Sequence, residues 1–429
     1  MIEPAQSDSG MSNREQAPRP GEDYAREVAE PARLAVPRAS RRPARSSARR
    51  RRDAWLLLVA LLVGTITIVA LSGGNTQRPP QARGAQPGRA SLPPSQTQPG
   101  TPATTTATGT FREYPLPQSN DGLMRLTIDH EGRPWFGEMG RNYLAVFDPR
   151  TQTFQQWTPP GGKYGIMGIQ VAPDDTIWFA EQYANYIGHY FPATGRYQLY
   201  PLPTITVPDP SHAGKTLTLP SAPNDLALDA HGNAWFTELN AGALGRLDTH
   251  TGFMQQYPLA GKKSAQALFP YGVTVDQQGM VWFTEPSGGH ISRLDPATGG
   301  IRLFTPPGSN VALMEIASDT HGVIWATSFS PGLLLSLNPR TGTFTAYYVP
   351  SIGANGAGAL YGLVVTPDND VWVTVSAENA IARLDVAAHR FTPYRIPTDS
   401  SLPIGIVAGA NHTLWFTEAG SNSVGMMQA

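Results

Sequence analysis

Three charged residues stand out by their position. Tryptophan recurs seven times in a common context, at Trp135, Trp178, Trp235, Trp282, Trp325, Trp372 and Trp415. Ten residues before it, four copies carry glycine (Gly168, Gly272, Gly362, Gly405) and three carry Arg125, Asp225 and Glu315. A cation and two carboxylates at equivalent places can grip a polar ligand, or can pair with one another and hold the repeats in register. One residue earlier the set reads Met124, Met167, Asn224, Tyr271, Met314, Tyr361 and Ile404, which adds polar groups at Asn224, Tyr271 and Tyr361. Arg125, Asn224, Asp225, Tyr271, Glu315 and Tyr361 are therefore the candidate ligand-binding set, and no residue is assigned a catalytic role.

Other chemistry-bearing residues read as structural. Glu138, Glu181, Glu238, Glu285 and Glu418 each follow the tryptophan by three residues, replaced only by Ser328 and Val375. A residue repeated by the fold is expected to satisfy neighbouring backbone N–H groups. His130, His231, His321 and His412 fall in turns, and His189 and His290 have no second ligand at metal-binding spacing. The chain has no cysteine, which excludes disulfides, thiolate metal sites and a thiol nucleophile. Phosphate-binding loops, H-E-x-x-H, G-x-S-x-G and EF-hand motifs are absent, so no metal or cofactor is expected.

The elements that position these residues follow from the repeat. The tryptophans are spaced by 43, 57, 47, 43, 47 and 43 residues. A second marker keeps step, ending at Pro117, Pro160, Pro203, Ala260, Pro307, Pro350 and Pro397. Within a unit the pattern is four short strands, as in 270–276, 280–285, 290–295 and 301–307, with turn residues between and no helical period. Four-stranded units of about 40–50 residues are propeller blades. The expectation is an all-β, seven-bladed β-propeller over 111–429. Its first strand, Phe111–Pro117, completes the last blade, and a long loop at Thr204–Pro220 rims the channel.

The W-F-x-E signature, with third-strand motifs such as ALGRLD and ISRLD, resembles the streptogramin lyase (virginiamycin B lyase) family of seven-bladed propellers. The resemblance implies a bacterial protein. In members that are enzymes it implies a lyase opening a streptogramin B ring by elimination, with magnesium and a histidine base at the channel mouth. Carried over position by position, the base falls on Met124, Met167, Asn224, Tyr271, Met314, Tyr361 and Ile404. The two metal-binding glutamates fall on Gly122, Gly165, Ala222, Phe269, Ala312, Ala359 and Leu402, and on Met139, Gln182, Leu239, Pro286, Phe329, Ser376 and Ala419. None is histidine or carboxylate. The first expectation is accordingly a module binding a small molecule, peptide or protein at its channel mouth. The alternative is a lyase acting on a cyclic ester with relocated groups, and only that alternative calls for magnesium.

Three segments precede the propeller. Residues 1–53 hold 12 of the 28 arginines with few apolar side chains and read as a disordered basic arm. Residues 54–72 form an uncharged run whose first 18 residues, as a helix, span roughly 27 Å, close to the bilayer core. Its length, its distance from the start and the lack of a small-residue cleavage site favour an uncleaved anchor over a signal peptide. The arginines before it place the N-terminus in the cytoplasm, making a single-pass bacterial membrane protein with its propeller outside. Residues 73–110 read as a Pro/Thr/Gln-rich stalk. The overall charge of −1 combines a basic arm and stalk with a propeller at −8, so nucleic acid is not an expected partner.

Overall fold

Short runs of alternating and β-branched residues make strands, and the tryptophan strand is buried along nearly its whole length in every blade. A strand covered on both faces needs a neighbour on each side. The computed structural model describes residues 32–35, 109–119, 121–161, 165–209, 212, 214–259, 269–308, 311–349 and 359–429. They form seven antiparallel four-stranded blades around one axis. The innermost strands are Leu123–Ile128, Ile166–Val171, Pro223–Leu228, Val273–Val275, Leu313–Ser318, Leu360–Val365 and Pro403–Ala408. The seventh blade takes its outer strand from the other end of the propeller: Thr110–Pro115 pairs with Ser423–Gln428, Phe111 opposite Met427. Closure leaves no open inter-blade edge.

Seven apolar cores lie between blades, each built on one rule. The tryptophan of one blade packs with the residue that follows the tryptophan in the next. The pairs are Trp135 with Phe179, Trp178 with Phe236, Trp235 with Phe283, Trp282 with Ala326, Trp325 with Val373, Trp372 with Phe416 and, closing the ring, Trp415 with Phe136. Burying a tryptophan removes ~200 Å² from water, worth about 5 kcal/mol gross. In four blades an aspartate six residues earlier caps the indole. Asp129, Asp229, Asp276 and Asp319 accept the Nε1–H at 2.8, 2.8, 2.7 and 3.0 Å.

One expectation is corrected. The insertion at Thr204–Pro220 is a β-hairpin, Thr204–Pro208 paired with Thr216–Pro220, because its alternating Thr/Ile/Val/Leu residues satisfy one another's backbone groups across the pair. Of residues 1–53 the structure describes only 32–35, where Ala32–Ala35 pairs with Thr153–Gln156 on the edge of the first blade; the rest of the expected arm lies outside the described residues. The anchor at 54–72 and the stalk up to 108 lie outside the described residues. Among the described residues no helix is long and apolar enough to cross a membrane.

Candidate functional site

A repeated irregularity aims side chains at the axis. In blades 1, 3, 5, 6 and 7 the innermost strand shifts register against the tryptophan strand at the two residues that lie 11 and 10 before the tryptophan. Such a bulge re-aims side chains. In blades 3 to 7 a threonine two residues after the tryptophan bridges this place to the next blade. The Oγ1 atoms of Thr237, Thr284, Thr327, Thr374 and Thr417 accept the N–H of Asp225, Gly272, Glu315, Gly362 and Gly405 at 2.7–3.1 Å. Each then donates at 2.6–2.9 Å to the carbonyl of Tyr271, Met314, Tyr361, Ile404 or Met124 in the next blade.

Close approach of the innermost strands explains the glycines. A Cβ on Gly168 would lie 2.8 Å from Asp225 Cα, one on Gly272 2.6 Å from Met314 O, and one on Gly405 2.7 Å from Met124 O. Each of the three charged residues thus follows a glycine blade whose backbone presses on it. Blades 1, 3 and 5 project a long side chain towards the axis, and their predecessors leave room.

All six candidate residues converge there. Arg125 reaches from blade 1 to blades 3 and 5: its Nε is 3.4 Å from Asp225 Oδ1 and donates to Glu315 Oε2 at 3.1 Å. Nη2 approaches Glu315 Oε1 to 2.7 Å but off the hydrogen-bonding direction, so that contact is an ion pair only. Nη1 donates to Met167 O at 3.4 Å, and the guanidinium lies 5.1 Å from the Tyr271 ring centre. Asp225 Oδ2 accepts the Val273 N–H at 3.1 Å. Asn224 is fully buried and donates to Tyr271 O at 3.0 Å, and the Tyr271 and Tyr361 hydroxyls hydrogen-bond to each other. The readings of a ligand set and of a register-fixing ion pair therefore meet in one cluster. Five of the six residues are buried and Glu315 is half-buried, so the groups expected at an open mouth instead close the channel.

Electrostatics follow from this closure. Burial works against the guanidinium, but Asp225 and Glu315 outweigh it and hold Arg125 charged. Burial lifts the Glu315 carboxyl to about 7, with Arg125 opposing the rise. Burial also raises Asp225, opposed by Arg125 and by the Val273 and Leu226 N–H groups. One cation faces two carboxyls, and the cluster is neutral when one carboxyl holds a proton.

On one side of this cluster the three positions that the family's base and metal ligands would occupy form a single apolar patch. Met124, Met167, Ala222, Leu239, Phe269, Tyr271, Met314, Tyr361, Leu402 and Ile404 are buried together, with Met139, Phe329 and Ala419 partly exposed against them. Thioethers, methyls and rings offer no carboxylate for magnesium, and the nearby carboxyls of Asp225 and Glu315 are already engaged by Arg125. The residues present do not fit that metal. Among the described residues no three His, Asp or Glu side chains form a metal-holding group. His189 is stacked on Trp178 at 3.8 Å and burial lowers its pKa to about 4. Four of the five recurring glutamates accept from side chains and not from the backbone N–H groups expected: Gln156 to Glu138 and Gln256 to Glu238, both at 2.6 Å, Ser292 to Glu285, and Ser421 to Glu418 at 2.8 Å. The threonine bridges and aspartate caps escaped the sequence reading, although T two after W and D six before it repeat visibly.

A model of the virginiamycin B lyase family matches residues 94–354 and 214–429. No curated protein matches the chain. Among solved structures, the selenomethionine-substituted virginiamycin B lyase of Staphylococcus aureus is 24% identical with a TM-score of 0.64, covering 75% of this chain and 99% of that one. A catalytically inactive variant of that lyase with quinupristin is 23% identical, with the same TM-score and coverage. YCF48 bound to D1 peptide is 14% identical at a TM-score of 0.56, covering 76% of this chain and 98% of that one. At these identities the likeness to solved structures is one of fold.

Proposed function

The chain belongs to the virginiamycin B lyase family, and from that premise we propose that it is a membrane-anchored, extracytoplasmic propeller that binds a ligand or partner at its apolar channel mouth without opening a streptogramin ring. The observation that carries this reading is the apolar patch at the axis. The thirteen side chains of that patch come from the three sets of repeat positions where the base and metal ligands of a family lyase would stand. Proton abstraction next to an ester carbonyl needs a base of near-neutral pKa and a stabilised enolate; the patch carries no such base, and the nearby carboxyl of raised pKa, Glu315, is engaged by Arg125.

Topology supports binding at the same end. The innermost strands run away from this mouth, so the outer strands end at it, and the long connection between Pro201 and Pro223 places its hairpin of Thr204–Pro208 and Thr216–Pro220 there. Long connections on a rigid scaffold carry recognition. Met139 and Phe329, partly exposed, offer adaptable apolar contact. Propellers of similar fold occur bound to a peptide and, in the inactive lyase variant, with quinupristin. The anchor reading rests on the uncharged run at 54–72 and the arginines before it.

The test uses the full chain with quinupristin and magnesium. Elimination breaks the ester C–O bond and moves a proton, giving a linear isomer of unchanged mass, whereas hydrolysis adds one water. Chromatography with fragmentation separates both from the ring. Intact quinupristin after prolonged incubation is expected, and magnesium-dependent linear product refutes the reading. Protease digestion of intact cells tests topology: protection of the propeller would exclude an extracytoplasmic position.

A further inference from the structure

On the end opposite the apolar mouth, a crevice of about 510 Å³ opens between blades 4 and 5. Its walls include Met280, Trp282, Arg293, His321, Val323 and Arg340. Comparison between blades makes Arg293 unusual. An arginine 11 residues after the tryptophan lies over the indole in three blades, with Arg246, Arg293 and Arg383 at 5.7, 5.7 and 6.0 Å from the ring centres. In blade 3 its Nε donates to Asn233 at 2.9 Å, and in blade 6 Arg383 Nη2 reaches Asp370 at 2.8 Å. Both acceptors stand two residues before the tryptophan. In blade 4 that place is Met280, and Arg293 Nε is buried with no acceptor among the described residues.

The surroundings add positive charge and little to neutralise it. Arg302 stands directly opposite Arg293 on the neighbouring strand, where the other two blades have Gln255 and Thr392. Like charges directly opposed are unfavourable. Exposed Arg340 and His321 reach the crevice from blade 5. The one carboxylate in the wall, Asp276, already accepts from Gln278 N, Met280 N and Trp282 Nε1. Met280, Val323 and the indole make the rest of the lining apolar.

We propose that this crevice is a second binding site, for a molecule with one carboxylate and an apolar body. Arg293 and Arg340 take the carboxylate, whose two oxygens match a guanidinium fork, and the wall of Met280, Val323 and Trp282 takes the body. The volume falls in the range of small-molecule sites. The site is separate from the channel mouth and stands whether or not the mouth binds anything.

Titration calorimetry on the full chain tests it, with phenylbutyrate, its alcohol analogue phenylbutanol and inorganic phosphate as probes. Phenylbutyrate is expected to bind at least about tenfold tighter than phenylbutanol, the order of one charge-assisted contact. Arg340→Ala, at an exposed position, weakens it about tenfold. Met280→Asn restores the internal acceptor found in blade 3 and also weakens it, while thermal stability is kept or raised. Equal binding of acid and alcohol, or unchanged affinity in both variants, overturns the proposal. So does phosphate that displaces phenylbutyrate with equal potency, since the site would then read a bare anion.

Discussion

Replacing Arg125 with methionine tests the electrostatic logic of the axis most directly. The substitution keeps an unbranched apolar stem, shorter than arginine, and removes the one cation between Asp225 and Glu315, whose oxygens lie 3.4 and 2.7 Å from it. Breaking a buried pair on one side costs about 3–5 kcal/mol, because the remaining charge is uncompensated. A propeller of about 320 residues has an unfolding entropy near 0.7 kcal/mol per kelvin, so the expected fall in Tm is about 4–8 °C. The sign of its pH dependence follows from Glu315, whose folded pKa stands near 7, above the unfolded value. Removal of Arg125 takes away the main opposing influence and raises it further. Stability from such a group is complete below the unfolded pKa, near 4.3, and is lost as pH rises through the folded one. The loss should be larger at pH 8 than at pH 5, by about 1.4 kcal/mol for the one unit between pH 8 and the folded pKa near 7. Neutralising both carboxyls as well, in Arg125→Met/Asp225→Asn/Glu315→Gln, should recover most of the Tm. Thermal unfolding followed by circular dichroism decides the matter. A deficit equal at pH 5 and pH 8, or a triple variant no better than the single one, refutes the reasoning.

Three further outcomes are expected. Burial raises Glu138 and Glu181 to about 8, Glu238 to about 7 and Glu418 to about 9, so stability should decline as pH climbs from about 4.5 through 9, by up to ~1.4 kcal/mol per pH unit for each group; Glu418→Gln should flatten the decline in a denaturant titration series. Thr284→Val leaves Met314 O and Gly272 N, bonded at 2.6 and 2.9 Å, without their hydroxyl partner, and should cost about 1–3 kcal/mol in chemical denaturation. Gly272→Ala forces a Cβ to within 2.6 Å of Met314 O and should destabilise by about 1–3 kcal/mol, whereas Gly279→Ala, at a turn with open space but positive φ, should cost about 1 kcal/mol through backbone strain alone.

Much of the fold was legible because the repeat writes it seven times. Trp135 and its six equivalents, with the proline markers, predicted blade number, strand order and closure by Phe111–Pro117, since each blade must bury the same face against the same neighbour. The hairpin at Thr204–Pro220 was less legible: a single copy has no periodic partner to compare, and five alternating residues on either side of a long connection are a weak signal alone. For the axial site, the identities were readable at Arg125, Asp225 and Glu315, because glycine elsewhere marked them as departures. Their state was not. Whether those groups line an open mouth or close it depends on the bulges in the innermost strands of blades 1, 3 and 5 and on how nearly Gly168, Gly272 and Gly405 approach the next blade.

The sequence by itself therefore determined the seven-bladed architecture, the separate basic, uncharged and acidic regions, and the absence of the family's base and metal ligands. Local periodicity and residue type suffice for those. Tertiary structure decided that residues 100 and 190 positions apart, Arg125 with Asp225 and Glu315, neutralise one another, and that Arg293 lacks the acceptor its counterparts have. Ion pairing and desolvation depend on distances of a few ångströms between distant segments. Only ring closure sets those distances.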